Sequence, residues 1–436
     1  NGRILSDIVI QASKRVKRVL ARSNPREISP LHGSGVSACA TPVRERYALP
    51  RYVDKINGIW PMTEFYFASC THLCDKLDEW LEVKGYDPVA KTLLVPKDCK
   101  GPRIISCEPR ETMFIQQGLM DLMYKTIECH PMTRRSVNFT DQTYNQRAAK
   151  RGSQDPSSVA TLDLKDASDR LRLELVLSLF PVNWSQALLA CRSESTVFPD
   201  GTVVQLAKHA PMGSAVCFPV MALSIWAVLT ATLPPRTKVL VYGDDIVVPF
   251  GYAALAVEVL TAVGLMVNVN KSYVKGPFRE SCGKEYINGV DITPVRLRAF
   301  PECNNDARGQ TIAFSNNLFD KFGLEPLWLN DMIHEWYRQV PERAYDPRVG
   351  DVVSHDWVDS QGELRVHSGK CVNRKFSNVL NVAFPNNTHL AQRWNRRLQI
   401  RQYRLLWARP LELKYSTDDW CHLFRALVQP SVQRPL

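Results

Sequence analysis

The chain has 436 residues, with 55 Lys and Arg against 44 Asp and Glu, a formal charge of +11. Hydrophobic residues make up 45% and charged residues 23%. That balance belongs to an ordinary globular chain and excludes a disordered tail, a collagen-like fibre and a small disulfide scaffold. The length allows about two to four domain-sized units, and the basic excess directs attention to polyanions or an anionic membrane surface as partners.

In chain order, Lys14, Arg15, Lys17 and Arg18 among Val and Leu predict a basic amphipathic helix near the start. The first residue is Asn1 rather than Met, which reads as a fragment or a processed product, and no signal-peptide pattern opens the chain. The 12 cysteines are scattered from Cys39 to Cys421 through apolar segments. They are expected to be reduced, mostly buried thiols of a cytoplasmic protein. Cys70, His72 and Cys74 come nearest to a metal cluster, but no second ligand pair follows at finger-like spacing.

Residues 93–119 read as a short strand, a Lys/Arg/Gly/Pro loop, a second strand and a helix. Residues 141–158 are polar and read as a connecting loop. From about 159 to 298 the pattern becomes regular. VATLDL is a strand, LRLELVLSLF a helix, and VLVY and IVVPF two strands around Gly243-Asp244-Asp245. YAALAVEVLTAVGL then predicts a helix and MVNVNKSYV a strand. This order suits a small antiparallel sheet with helices packed on one face, an α+β arrangement. The uncharged run Ala210–Pro235 has the length of a membrane span. Pro211 and Pro219 interrupt it and it leads into an acidic loop, so a buried helix is expected. Beyond Phe300 the pattern turns helical and turn-rich.

Two carboxylate sites carry the chemistry. In VLVYGDDIVVP, Gly243 permits a tight turn that lifts Asp244 and Asp245 off the sheet end. In VATLDLKDASDR, Asp163 ends an apolar strand and Asp169 follows Ser168. Carboxylates leaving two neighbouring strands can converge, and such a cluster repels itself unless cations fill it. Mg²⁺ suits it, because that ion shares its shell with substrate phosphates. Two such ions are the apparatus of in-line phosphoryl displacement. Lys97, Lys100 and Arg103, spaced by Gly101 and Pro102, can present cations to a triphosphate.

Taken together, KDCKGPR, DLKDASD, MGSAVCFPV and YGDD resemble, in this order, the motifs of viral RNA-dependent RNA polymerases. The match is closer still to the replicases of the positive-strand RNA phages (leviviruses) and their narnavirus and botourmiavirus relatives. FTDQTYNQRAAKRGS, KSYVKGPFRESCGKEYINGVDITP and SPLHGSGVSACA add to it, over about residues 29–300. The resemblance implies a right-hand polymerase. Its fingers would take residues 1–158, with the NTP-binding loop at 95–105. A palm on a small antiparallel sheet would take 159–299, with an inserted fingers segment at about 175–210, and a helical thumb 300–436.

It further implies metal binding by Asp163, Asp244 and Asp245, with two Mg²⁺ ions and Mn²⁺ as a substitute. Asp169 would face the ribose of the incoming nucleotide, Ser214 would contact template or nucleotide backbone, and Lys97, Lys100 and Arg103 would hold the triphosphate. Lys271 would donate a proton to pyrophosphate, with Lys275 close by as an alternative. RNA template, nascent RNA and NTPs are the implied partners, with the host translation factors Tu and Ts and a ribosomal RNA-binding protein if the chain is phage-like. The implied location is the cytoplasm of the infected host cell. Two departures stand out. Met212-Gly213-Ser214 replaces the Met-Gly-Asn of phage replicases, and the following MALSIW offers no Asn to read the sugar.

Three readings stay open. Tyr242-Gly243-Asp244-Asp245 also fits a reverse transcriptase, against which Ser168-Asp169 argues. An RNA-binding scaffold without catalysis is the third. Arg279 and Glu280 read either as a local salt-bridged turn or as a grip on the primer strand. Arg393, Arg396, Arg397, Arg401, Arg404 and Arg409, interleaved with Trp394, Tyr403 and Trp407, suit single-stranded RNA or a surface helix equally.

Overall fold

The computed structural model describes residues 2–33, 35–40, 49, 51–67, 70–83, 85–98 and 101–297, short stretches between 314 and 329, and 392–395 and 400–403. Two compact units divide the chain, Asn1–Thr293 and Pro294–Leu436.

In the first unit, helix α1 (Gly2–Leu20) buries Ala12, Val16, Val19 and Leu20 and exposes Lys14, Lys17 and Arg18. Apolar side chains at that spacing form one stripe of a 3.6-residue helix. Short helices α2 (Asp54–Asn57) and α3 (Met62–Phe65) and the longer α4 (Cys70–Leu81) follow. Strands β1 (Val89–Asp98) and β2 (Gly101–Cys107) pair antiparallel, and α5 (Arg110–Cys129) and α6 (Thr143–Gln154) come next.

The expected basic loop is therefore the tip of a hairpin. Lys97 belongs to β1 and Arg103 to β2, whereas Lys100 lies outside the described residues. The expected loop at 141–158 is also mostly helix. The buried residues of α6 are Asn145, Ala149, Gly152 and Ser153, a helical stripe of small and polar residues that hydrophobic periodicity does not register. A Cβ on Gly152 would stand 2.5 Å from Val159 Cγ2, so the missing side chain lets α6 lie close on the strand that follows.

The central sheet runs β3-β8-β7, from β3 (Val159–Leu162), β7 (Leu240–Tyr242) and β8 (Asp245–Pro249), all antiparallel. Both edges are closed. Val241 N–H donates to Ser136 O at 2.7 Å, and Thr161 and Tyr273 exchange bonds of 3.1 and 2.7 Å. β4 (Leu164–Lys165) pairs with β9 (Met266–Val267). The strand predicted over MVNVNKSYV is thus brief and gives way to a 3₁₀ turn at Val269–Lys271. Between β4 and β7 lie α7 (Ala167–Arg170), α8 (Leu173–Leu179) and α9 (Val182–Ala190). Strands β5 (Ser195–Val197) and β6 (Val203–Gln205) then extend the β2-β1 hairpin to a four-stranded sheet.

The uncharged run becomes α10 (Cys217–Thr232), with nearly every side chain from Cys217 to Leu229 buried against α1, α5, α8 and α11 (Ala253–Ala262). Pro219 falls in its first turn, where no helical N–H bond is lost. No helix among the described residues is long and apolar enough to cross a membrane. β10 (Phe278–Ser281), β11 (Lys284–Ile287) and β12 (Val290–Asp291) make a meander. Its turns, Cys282-Gly283 and Asn288-Gly289, have positive φ at both positions, the type I′ pattern of two-residue hairpins. Of the described free cysteines, Cys107, Cys191 and Cys217 are buried, but Cys39, Cys74 and Cys129 are exposed.

In the second unit, β13 (Gln392–Asn395) and β14 (Ile400–Tyr403) pair antiparallel, setting Trp394 opposite Arg401. Arg393 and Arg401 thus lie on strands rather than on a surface helix. Arg396, Arg397, Arg404, Trp407 and Arg409 lie outside the described residues.

Candidate active site

The sheet register builds the site. Leu162 faces Ile246 across β3 and β8 and the ladder ends there, so Asp163 leaves β3 one residue further on, beside the turn that precedes Asp245. Tyr242 pairs with Asp245, leaving Gly243 and Asp244 as a two-residue loop. Gly243 has φ +64° and Asp244 is not in the positive region, the II′ pattern with Gly first. A Cβ on Gly243 would stand 2.2 Å from Phe218 Cε2. That ring packs edge-on against Tyr242 at 5.3 Å and Phe139 at 5.8 Å, and Phe139 stacks on Tyr124 at 4.3 Å. Tyr242 Oη also donates to Phe139 O at 3.1 Å. The hairpin tip is thereby fixed from behind by rings and a hydrogen bond.

Asn268 holds Asp163 twice. Its Nδ2 donates to Asp163 Oδ2 at 2.9 Å, and its backbone N–H to Asp163 O at 2.8 Å. Asp163 N–H donates in turn to Ser272 Oγ at 3.0 Å. On the facing strand, Asn145 Nδ2 donates to Asp245 O at 3.1 Å, and Ser281 Oγ to Asp245 Oδ1 at 3.4 Å. Burial pushes the Asp245 carboxyl up to about 6, and the charges of Asp244 and Asp163 push the same way. Glu280 on β10 is raised to about 7, by burial first and then by Asp245 and Asp163, with Lys271 acting in the opposite sense. These couplings bring Asp163, Asp244, Asp245 and Glu280 into one electrostatic neighbourhood, with the exposed Lys271 at its margin. Among the described residues no Lys or Arg pairs with Asp244 or Asp245.

No group of three or more His, Cys, Asp and Glu among the described residues is arranged to hold a metal ion by itself. The donor chemistry nevertheless fits Mg²⁺, which binds through one or two carboxylates and completes its shell with water and phosphate oxygens. Carboxylates lacking a side-chain cation suit that role.

The other predicted residues fall around this centre. Asp169, on α7, is half exposed and ion-paired with Lys208. Ser214 is 6% exposed, and its Oγ is buried with no hydrogen-bond partner. The turn that carries it is pinned to β2. Ser106 N–H donates to Met212 O at 2.8 Å, and a Cβ on Gly213 (φ +118°) would stand 2.1 Å from Ser106 O. Gln116 Oε1 accepts the Ala215 N–H at 3.1 Å, tying the same turn to α5. Arg103 is exposed further along β2.

Arg279 makes no salt bridge among the described residues, and its burial leaves it no surface with which to grip RNA. It is 0% exposed, and its guanidinium donates to the carbonyls of Val159, Gly276, Phe278, Pro156 and Val274 at 2.7–3.0 Å. Burial and then Asp245 push the Cys282 thiol well above its ordinary range, which keeps it protonated and a poor nucleophile. Sequence reasoning missed Asn268, Asn145, Glu280 and Lys208. The adjacent Arg279-Glu280 pair was read as one unit, although alternation along a strand sends its members to opposite faces.

An antiparallel sheet with acids at one hairpin tip and just past one strand end, backed by buried helices, is the arrangement that the right-hand polymerase resemblance implies. The model of the family described as RNA replicase, beta-chain, matches residues 8–306, well over half of the sequence, and the chain belongs to that family. The RNA-directed RNA polymerase subunit beta of Escherichia virus Qbeta is 37% identical over 223 residues, 50% of this chain and 37% of that protein. Its counterpart from Qbeta virus strain MX1 is 32% identical over 292 residues, 66% of this chain and 48% of the relative. The chain thus spans less than half the length of these relatives. Among solved structures, the RNA-dependent RNA polymerase of a human picorbirnavirus aligns with a TM-score of 0.40 and 15% identity, over 54% of this chain and 53% of that one.

Proposed function

We propose that the chain is the catalytic core of an enzyme that synthesises RNA on an RNA template, replicating a positive-strand viral genome by two-metal nucleotidyl transfer. What supports this reading is a ladder that ends with Leu162 opposite Ile246, so that Asp163 leaves β3 beside the hairpin that bears Asp244 and Asp245, neither of which pairs with a Lys or Arg among the described residues. Asp163, Asp244 and Asp245 would hold two Mg²⁺ ions, or Mn²⁺ in their place. Such ions lower the pKa of an attacking hydroxyl and neutralise charge on the transferring phosphate. The remaining work falls to the chain's own side chains. Lys97, Lys100 and Arg103 attract and orient the triphosphate, Arg in bidentate fashion. Asp169 meets the ribose. The orphaned Ser214 hydroxyl supports a contact with template or nucleotide. Lys271, beside Glu280, is assigned the proton delivered to pyrophosphate, with Lys275 as the alternative. Residues 1–158, 159–299 and 300–436 are assigned to fingers, palm and thumb. Host factors of the translation machinery are the proposed protein partners, in the host cytoplasm.

The test is primer extension on an RNA template with Mg²⁺, comparing NTPs with dNTPs, for the wild type and Asp244→Asn. The expected result is template-dependent RNA from NTPs, reduced about a thousandfold or more by the substitution. Efficient dNTP incorporation would make the chain a reverse transcriptase. RNA binding without synthesis in the wild type would make it a scaffold.

A further inference from the structure

We infer that Lys208 is a specificity-determining residue for the sugar of the incoming nucleotide: it fixes the orientation of the Asp169 carboxylate and joins it in binding a ribose 2′-hydroxyl. This rests on the polymerase reading above and names a residue in its nucleotide site that the sequence motifs do not contain.

Lys208 Nζ pairs with Asp169 Oδ1 across 39 positions of sequence, with side-chain exposures of 22% and 53%. The pair is set by the backbone beneath it. Lys208 bridges Arg172, Leu173 N–H donates to Ala207 O at 3.2 Å, and His209 N–H donates to Leu171 O at 2.8 Å. A second buried arginine secures the segment from below. Arg192, 6% exposed, donates to Lys208 O at 2.9 and 3.3 Å, to His209 O at 2.7 Å and to Leu206 O. These bonds fix where the lysine side chain starts, and the pair with Oδ1 sets where its ammonium ends. Cys217, at the start of α10, relates the pair to the hairpin electrostatically. Burial raises the Cys217 thiol to about 12, and it feels the charges of Asp169, Lys208 and Asp244.

The chemistry suits a hydroxyl. An ammonium has three donors and no acceptor, and a carboxylate has only acceptors. With one donor spent on Oδ1, Lys208 can still donate while the remaining carboxylate oxygen can still accept. A 2′-hydroxyl is donor and acceptor at once, so it completes both. A deoxyribose offers neither and leaves the pair unsatisfied beneath the bound nucleotide, which is how a polar site rejects an analogue lacking the group. Helix α10, which follows the Ser214 turn, carries no Asn or Gln that could do this.

The experiment measures kcat and KM for NTP and the matching dNTP in Mg²⁺-dependent primer extension. The proteins are the wild type, Lys208→Met, Lys208→Arg, Asp169→Asn and the double variant Asp169→Asn/Lys208→Met, with melting temperature alongside. Lys208→Met is expected to lower the NTP/dNTP ratio of kcat/KM by about tenfold or more, through NTP use alone. Its melting temperature should change little, since partly exposed pairs stabilise weakly. Lys208→Arg should retain most of the ratio, and the double variant should lose less selectivity than the two single losses combined. If Lys208→Met does not fold, Lys208→Ala, which also lacks a donor, reads the same ratio. A ratio within twofold of wild type, or equal losses for NTP and dNTP, overturns the inference while leaving the polymerase reading standing. A wild type that makes no RNA removes that reading, and the inference with it.

Discussion

At Val159, where β3 begins, a fully buried guanidinium donates to five main-chain carbonyls and meets no carboxylate. Just past Leu162, where the same strand ends, Asp163 faces a hairpin whose two acids meet no side-chain cation among the described residues. The two ends solve opposite problems. A permanent charge at the start is satisfied by fixed dipoles and becomes scaffold. At the end, Asp244 and Asp245 pair with no Lys or Arg among the described residues, which suits a counter-charge arriving from solution. Burying a charge is tolerable where every donor is used, and burying like charges together is tolerable only where something can enter between them.

The largest effect should come from dismantling the scaffold end. Arg279→Met orphans carbonyls on both sides of the strand and should cost about 3 kcal/mol or more in urea unfolding. Arg279→Lys should fall between, because an ammonium cannot reproduce the planar fork. A loss below about 1 kcal/mol for Arg279→Met would mean that the clamp is incidental. Next comes the hairpin. Gly243→Ala places a Cβ against Phe218 at a positive φ and should destabilise by about 1–3 kcal/mol in thermal melts. Adding Phe218→Leu should recover the steric part and leave the backbone part. Full recovery would show that conformation at Gly243 costs nothing.

The smallest effect is electrostatic and opposite in sign to ordinary acid denaturation. Asp245 is raised from 3.8 to about 6 and Glu280 from 4.5 to about 7, by burial first and neighbouring acids next. A carboxyl whose folded pKa is raised stabilises the fold fully below its unfolded pKa and loses that contribution as pH rises through the folded value. The metal-free wild type should therefore lose stability relative to Asp245→Asn between about pH 4 and pH 6. Added Mg²⁺ should raise the wild-type melting temperature more at the upper end of that window than at the lower. A wild-type-minus-variant difference that is flat with pH would show that the acids at this end of β3 are not destabilised by burial and mutual repulsion.

The central hairpin was legible because period-two apolar runs around a glycine are a local signal, and because Asp244 and Asp245 stand out against Val, Leu and Ile. The uncharged run was legible as a buried helix because Pro211 and Pro219 interrupt it and an acidic loop follows, both unlike a membrane span. α6 was not, since its buried face is Asn145, Ala149, Gly152 and Ser153. The brief β9 was overextended because Val and Tyr continue past Val267, while backbone bonds from Asn268 and Tyr273 to the β3 segment break the run. The Asn288-Gly289 turn carried the strongest short hairpin signal in the chain and went unread.

What the sequence determined alone is whatever depends on neighbours in the chain: the helical stripe of α1, the turn at Gly243 and the placing of Asp163 at the end of an apolar strand. The tertiary structure decided which distant groups complete each charge. Asn268 reaches Asp163 over 105 positions, Lys208 reaches Asp169 over 39, and Arg279 reaches Val159 over 120. Local propensity acts over a few residues, but a hydrogen bond or an ion pair is decided by distance in space. The excess of +11 therefore indicated a polyanion without indicating which lysine or arginine would serve the chemistry and which would hold the strands in place.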